Sequence, residues 1–202
     1  RRSAMPAREQ RLWMLAGMAG GLSPWLHIVG AAQEDRRLLQ PDGDLMAWHA
    51  QNERYLERRS PVATVGLVWS RQNVVFYGRD RQNERCAMPW RGFTRAFTRA
   101  RIPYVPVCAD DIPADASSIK LLVFPDVAAF TDAQIERLRR YMLAGGGVLA
   151  TGATGMLDAE GEPRTDHAVD RLLGIRREKI PPEEPYEADW EHYDFHNYMR
   201  VE

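Results

Sequence analysis

The sequence has few cysteines, almost no net charge and no long apolar run. No stretch of its 202 residues approaches the roughly 20 apolar residues that a membrane-spanning helix needs, so no membrane association is expected. Two cysteines, Cys86 and Cys108, are too few for a disulfide framework and favour a reducing compartment such as the cytoplasm. A net charge of −1 gives no general attraction to nucleic acid.

The usual signatures of a cofactor site or a nucleophile are also missing. The glycine-rich Thr151–Gly155 follows an apolar run, and backbone amides in such loops favour anions. It lacks the lysine of a P-loop and the full dinucleotide fingerprint, so a plain tight turn is the preferred interpretation. Its tip has no Ser or Cys, which argues against acyl-transfer or amidotransferase chemistry there. No cofactor is therefore expected.

Two patterns contain residue types that bind metals or catalyse hydrolysis. His192, Asp194 and His196 alternate as ligands on one face of a strand would, but zinc has no obvious fourth ligand, so no metal site is predicted. Asp80 lies in a predicted long loop and the pair Asp110-Asp111 at a predicted strand end, and paired carboxylates catalyse glycoside hydrolysis. Asp is also common in loops because of its turn chemistry, so no catalytic residue is assigned.

Trp25 and His27 follow a Ser-Pro turn near the N-terminus. An indole and an imidazole in this arrangement are suited to line a sugar site by stacking and hydrogen bonding. A buried Trp beside a satisfied His is the competing interpretation.

The clearest structural pattern is a strand–helix–strand unit over Leu121–Gly155. Leu121–Phe124 is an apolar run typical of a strand that is buried on both faces. Thr131, with Gln134 three residues later, predicts a helix that begins with a capping box. Val148–Ala150 begins the second strand, which should be parallel to the first.

Similar units precede this one. A strand is predicted at Val62–Trp69, a helix at Trp90–Arg101 and a second strand at Ile102–Val107, where two prolines indicate a sheet edge. The order from Val62 onward is interpreted as β-α-β-α-β-α-β, which predicts an α/β fold with a doubly wound, mostly parallel sheet. Shorter elements are also predicted: helices over Glu9–Met18, Asp44–Arg58 and Val169–Leu173, a strand at Trp25–Val29 and a turn at Pro41-Asp42-Gly43.

Ser70–Pro89 is predicted to be a long polar loop that contains an apolar run, Val74–Tyr77. Loops of about twenty residues are uncommon in compact domains unless they are functional or disordered. Arg71, Arg79 and further arginines surround the apolar run, as in an interface core with a polar rim. We therefore expect Phe76, Tyr77 and Arg79 to contact another subunit or to cover a neighbouring active site. The alternative is that Val74–Tyr77 folds back on its own sheet.

The order of several segments resembles that of the β-galactosidase-like glycoside hydrolases. These segments are PWLHIVG at 24–30, Asp35-Arg36, the helix at His49–Leu56, VGLVWS at 65–70, FYGRD at 76–80, PWRGFTRAF at 89–97 and the crossover that ends in AGGGVLATGATG. In that family a catalytic (β/α)8 barrel precedes a trimerisation domain. This domain has a flavodoxin-like fold related to class I glutamine amidotransferases but lacks their catalytic Cys.

The resemblance implies that residues 1–58 are the end of the barrel, residues 60–175 the trimerisation-type domain, and residues 176–202 a linker or the start of a following segment. The family's catalytic glutamates lie on earlier barrel strands, so none is carried over. The implied role is a non-catalytic domain for oligomerisation and for covering the active site. Its partners would be copies of itself, as a homotrimer, and the carbohydrate substrate of the parent enzyme, with Trp25, His27 and Asp80 as substrate-lining residues. The alternative is a stand-alone amidotransferase-like enzyme or a small-ligand binding α/β domain.

Overall fold

The computed structural model describes residues 6–25 and 39–176. The chain divides into two compact units, Arg1–Val62 and Ala63–Glu202. His27 and the remainder of the predicted strand at Trp25–Val29 lie outside the described residues, as does the pattern His192–His196. The assignment of the first unit to the end of a barrel stays a prediction.

Within its described residues, the first unit contains two helices that lie side by side. These are α1 (Ala7–Ala19) and α2 (Leu39–Leu56). The buried Gln10 donates to the Asp42 carboxylate at the start of α2, and Arg59, just after α2, donates to the Met18 carbonyl near the end of α1. The two helices therefore run in the same direction.

The turn predicted at Pro41-Asp42-Gly43 is wrong, because these residues form part of the first turns of α2. Proline is tolerated there, since the first amides of a helix have no intrahelical carbonyl to donate to. Asp42 is buried, and burial raises the pKa of its carboxyl group, while the hydrogen bond from Gln10 lowers it.

Among the described residues of the second unit, four parallel strands form one sheet in the order β2-β1-β3-β4. The strands are β1 (Val65–Trp69), β2 (Tyr104–Cys108), β3 (Leu121–Phe124) and β4 (Gly147–Ala150). The predicted α/β fold with a parallel sheet is confirmed. β2 lies at an edge of the sheet, as predicted, so the missing amide of Pro106 does not interrupt hydrogen bonding between two central strands.

Helices cover both faces of this sheet. They are α3 (Met88–Ala100), α4 (Asp132–Leu143) and α5 (Ala168–Leu173). Val65 and Leu67 of β1 face α3, whereas Val68 points to the opposite face, where α4 and α5 pack. The sequence predicts a loop or one helical turn at Asp110–Ser118. The described residues between β2 and β3 form a single 3₁₀ turn at Ala109–Asp111 and no α-helix, so the second helix in the predicted β-α-β-α-β-α-β order is reduced to this turn.

The start of α4 shows the predicted capping box in full. The Thr131 hydroxyl accepts from the Gln134 amide at 3.1 Å, and the Gln134 side chain accepts from the Thr131 amide at 3.0 Å. At the other end of α4, Gly145 adopts φ +88°, a conformation that ends helices and favours glycine. Local sequence rules therefore define both ends of this helix.

Ser70–Pro89 is not a loop, which corrects the sequence interpretation. After β1 the chain forms a π-helical turn at Asn73–Gly78, a 3₁₀ turn at Arg79–Arg81 and a second π-helical turn at Asn83–Ala87, and then enters α3. Residues 70–88 contain one glycine and no proline, so little in the composition stops a helix. We call residues 71–87 the π-helical segment.

Candidate interface at the carboxyl end of the sheet

The π-helical segment follows β1 at the point where the strand order reverses. The chain passes from β1 to β2 on one side of β1, and β3 lies on the other side. In open parallel sheets, ligand sites lie outside the carboxyl ends of the strands at such a reversal. The functional side chains predicted after β1 thus lie at the ligand-binding edge of this architecture.

Asn73 holds the π-helical segment against the loop that follows β3. Its side chain is buried, and its Oδ1 accepts from the backbone amides of Ala128 at 2.7 Å and Ala129 at 3.2 Å. Its Nδ2 donates to the Asp126 carbonyl at 3.0 Å and to the Cys86 thiol at 3.5 Å. Both Oδ1 and Nδ2 of Asn73 thus bind groups of the protein itself and hold the π-helical segment in place, so we assign Asn73 a structural role.

Asp126 links three connections at this edge of the sheet. Its Oδ2 accepts from the Tyr77 hydroxyl at 3.2 Å, and its Oδ1 accepts from the Ala153 amide at 2.7 Å. Gly152 has φ +58°, and a Cβ there would lie 2.4 Å from Asp126 Oδ1, so this close approach requires glycine. The protein's own carboxylate therefore occupies the amide cradle of Thr151–Gly155, which supports the tight-turn interpretation over a phosphate site.

Tyr77, one of the predicted interface residues, is bound inside the unit. Burial, together with the charge of Asp126 and the hydrogen bond to it, raises the pKa of the Tyr77 phenol to about 12. Arg85 lies 5.1 Å from the centre of the Tyr77 ring and donates to the Tyr77 carbonyl at 2.8 Å. The phenol thus links the π-helical segment to the loop after β3 through its hydrogen bond to Asp126. We call this link the Tyr77 strut.

The outer side of the same turn exposes apolar surface. Val75 is 49% exposed and Phe76 is 36% exposed, while Val74 and Tyr77 are half-buried. Arg79, also exposed, donates from Nε to the Phe76 carbonyl at 2.9 Å and has φ +42°. The apolar run thus divides between an inner side and an outer side. We call Val75, Phe76 and Arg79 the exposed ridge.

Cys86 lies near the carboxyl end of the sheet, where a nucleophile could act, but its surroundings disfavour the thiolate. Its thiol contacts the Asn73 amide nitrogen at 3.5 Å and the Asn73 carbonyl at 3.6 Å. Burial, followed by the negative charge of Asp126, raises the pKa of the Cys86 thiol. Because the thiolate is the reactive form, these surroundings suppress covalent catalysis at this position.

A cavity of about 420 Å³ opens between the ends of β1 and β3 and the second π-helical turn. Sequence reasoning missed it because the π-helical segment was interpreted as a loop. The signal present in the sequence was the pair of tryptophans, Trp69 at the end of β1 and Trp90 directly after Pro89. The described residues that line it are Val68, Trp69, Ser70, Asn73, Val74, Gln82, Asn83, Cys86, Ala87, Trp90, Pro125 and Val127.

The predicted substrate-lining residues belong to different units. Trp25 is 73% exposed and lines a cavity of about 190 Å³ with residues of α1 in the first unit. Asp80 is exposed on the 3₁₀ turn of the second unit. The roles of Trp25, His27 and Asp80 as substrate-lining residues stay predictions.

Residues 6–25 and 39–176 contain neither a metal-binding cluster nor a membrane-spanning helix. Within these ranges, no three His, Cys, Asp or Glu side chains are grouped so that they could hold a metal ion. Within the same ranges, no helix combines the length and the apolar character needed to cross a membrane.

Comparison with known proteins gives matches at the level of structure. No protein-family model matches the chain, and no curated protein matches it by sequence. A β-galactosidase from Rahnella sp. R3 superposes with a TM-score of 0.60 and 16% identity, covering 84% of this chain and 28% of the other. The β-galactosidase from Bifidobacterium adolescentis has a TM-score of 0.50 and 22% identity, covering 58% of this chain and 55% of the other.

A third similar structure is Gan42B, a GH42 β-galactosidase from G. stearothermophilus, in the form of its E323A catalytic mutant. It has a TM-score of 0.53 and 17% identity, and the match covers 70% of this chain and 22% of the other. The chain has the fold of a part of the GH42 β-galactosidases. It spans about half the length of the Bifidobacterium enzyme and about a quarter of the other two chains.

Proposed function

We propose that the second unit is a non-catalytic domain through which a β-galactosidase-like glycoside hydrolase assembles, as a homotrimer, and covers a neighbouring active site. The observation that carries the proposal is the exposed ridge. Val75 and Phe76 expose apolar surface at the ligand-binding edge of the sheet, and Arg79 lies next to them. A carbohydrate is the proposed substrate of the assembled enzyme.

The chemistry of the ridge supports a protein contact. Aromatic and arginine side chains are enriched at the centre of protein interfaces, where they contribute most of the binding energy. Asn73 and Tyr77 fix the ridge from behind through their contacts with the loop after β3. An apolar surface held in one conformation pays little ordering entropy when it binds.

Cys86 is the one cysteine among the described residues that line the cavity, and its surroundings support a non-catalytic role. The raised pKa of Cys86 disfavours the thiolate that an amidotransferase-like enzyme would need. The carboxylate of Asp126 is bound to the Tyr77 hydroxyl and the Ala153 amide. A cytoplasmic location stays a prediction that rests on the low cysteine content.

Light scattering tests the assembly. We expect the wild-type chain to have the mass of an oligomer that dissociates on dilution, and Phe76→Asp to lower its association constant at least about tenfold, because a buried unpaired carboxylate is costly. Leu143→Asp is the matched control, since Leu143 is 74% exposed at the end of α4. A monomeric wild type, or equal effects of the two substitutions, would contradict the proposal.

A hydrolysis assay tests the non-catalytic role. We expect the purified chain to leave aryl galactosides intact. Glycoside hydrolysis needs two carboxyl groups held at a fixed separation on rigid elements, and neither Asp80 nor Asp110 has been identified as one of such a pair. Turnover that disappears in Asp80→Asn would contradict this part of the proposal.

A further inference from the structure

We infer that the cavity between the ends of β1 and β3 binds a neutral pyranose ring, so that the second unit carries a carbohydrate site of its own. This inference goes beyond the proposed assembly role and does not depend on it. It rests on where the cavity lies, on the absence of charge in its described lining, and on the pairing of indole and amide groups.

The cavity lies at the carboxyl ends of two neighbouring strands, β1 and β3. Its lining includes Trp69 and Ser70 at the end of β1, and Pro125 and Val127 after β3. These are the neighbouring strands at which the strand order reverses, the position where open parallel sheets bind their ligands. The volume of about 420 Å³ lies within the range of small-molecule sites, about 300–1,000 Å³.

The lining determines the charge of the ligand. Among the described residues that line the cavity, none carries a formal charge at neutral pH. An anionic nucleotide or a cation would enter such a site without a partner and would lose hydration free energy. The amide cradle nearby is already occupied by Asp126. A neutral ligand is therefore favoured.

The side chains then determine its shape. Trp69 and Trp90 supply indole groups, flat apolar surfaces suited to the C–H face of a sugar ring. Gln82 and Asn83 supply amides, which both donate and accept and so match hydroxyl groups around a ring edge. The Asn83 Oδ1 accepts from Arg91 at 3.4 Å, which orients that amide. A ligand with an apolar ring face and hydroxyl groups around its edge would match this lining, and a pyranose has both features.

Cys86 provides a reporter, because its thiol lines the cavity. The experiment measures the rate at which iodoacetamide alkylates Cys86 in the dilute chain while methyl β-D-galactopyranoside is added. We expect the rate to fall saturably, with a Kd on the order of 1 mM for a ligand of this size. Cys108, at the end of β2 and outside the cavity, should be alkylated at an unchanged rate.

Two variants and two ligands make the test specific. Trp69→Ala should weaken the protection about tenfold, whereas Trp48→Ala, at a position of nearly the same exposure (44% against 45%), should leave it unchanged. Ala87→Phe fills the cavity and should make the Cys86 rate independent of sugar. Sorbitol and indole are the control ligands. Sorbitol has the hydroxyl groups of a sugar but no ring face, and indole has a flat apolar face but no hydroxyl groups.

Protection by the pyranoside that is weak or absent with sorbitol and with indole, and that Trp69→Ala reduces, would support the inference. An unchanged Cys86 rate, equal protection by sorbitol, protection by indole alone, or a full effect in Trp69→Ala would overturn it. Light scattering on the same samples gives the oligomeric mass, so a failed sugar site and a failed assembly are told apart.

Discussion

The two longer helices of the second unit begin in different ways. α4 begins at Thr131 with both hydrogen bonds of a capping box. α3 begins as the continuation of two π-helical turns, and no side chain among the described residues caps it. A capped helix is locally defined, whereas π-helical turns are rare and frequently mark functional sites.

The two helices also differ in the size of the buried cluster beneath them, which is larger under α4 than under α3. The α4 side contains a large cluster of buried residues, including Leu138 and Tyr141. The Tyr141 hydroxyl donates to the Ile119 carbonyl at 3.1 Å. The described cluster on the α3 side contains Val65, Leu67 and Val123, with half-buried aromatic residues above it. The difference indicates that α4 stabilises the fold, while the π-helical segment and α3 are available for contacts.

The largest expected effect compares the two packed faces. Leu138→Ala should lower the free energy of unfolding by about 3 kcal/mol, because it leaves a cavity in the closed core. Phe97→Ala on α3 removes a larger side chain, yet we expect a loss of roughly 1–2 kcal/mol, since this ring is only partly buried. Urea unfolding measures both. A larger loss for Phe97→Ala than for Leu138→Ala would show that the α3 side contributes more to stability than the α4 side.

This contrast also explains what the sequence could predict. Thr131 and Gln134 encode the start of α4 through contacts three residues apart, and Leu121–Phe124 shows its burial as an apolar run, so both were predicted correctly. The π-helical segment depends on contacts that are distant in sequence. Asn73 binds backbone groups at Asp126, Ala128 and Ala129, more than fifty positions away.

The next effect concerns that Asn73 anchor. Asn73→Ala should cost about 2 kcal/mol, because it leaves buried amides of the loop after β3 without an acceptor. The matched substitution Asn83→Ala, at an exposed position of the same segment, should change stability by less than about 0.5 kcal/mol. Thermal unfolding of the two variants measures the difference, and equal losses would show that the anchor does not hold the segment.

The smallest effect belongs to the Tyr77 strut. Tyr77→Phe should cost about 1 kcal/mol at neutral pH, the net value of one hydrogen bond. The pKa of Tyr77 is raised from 10.0 to about 12 in the folded chain. The unfolded chain therefore releases this proton first, and the contribution, complete below pH 10, is lost as the pH rises toward 12. Urea titrations of both proteins across this range should converge; a constant difference would contradict the role of the phenol.

The same contrast explains why the site was only partly predicted. The exposure of Phe76 followed from an apolar run among arginines, but the inward position of Tyr77 depends on Asp126, 49 residues away. The cavity depends on the helical path of residues 71–87, which bring Cys86 back to the Asn73 side chain. Residue spacing encodes helical turns of the common kind, and it gave no signal for the wider π-helical turns.

Hydrogen exchange at increasing protein concentration tests the proposal that the π-helical segment is the contact surface and that α4 belongs to the stable core. We expect the amides of residues 71–87 to become more protected as the chain is concentrated, those of Asp132–Leu143 to stay unchanged, and Phe76→Asp to abolish the gain. Protection of residues 71–87 that does not depend on concentration, or an equal gain in α4, would contradict it.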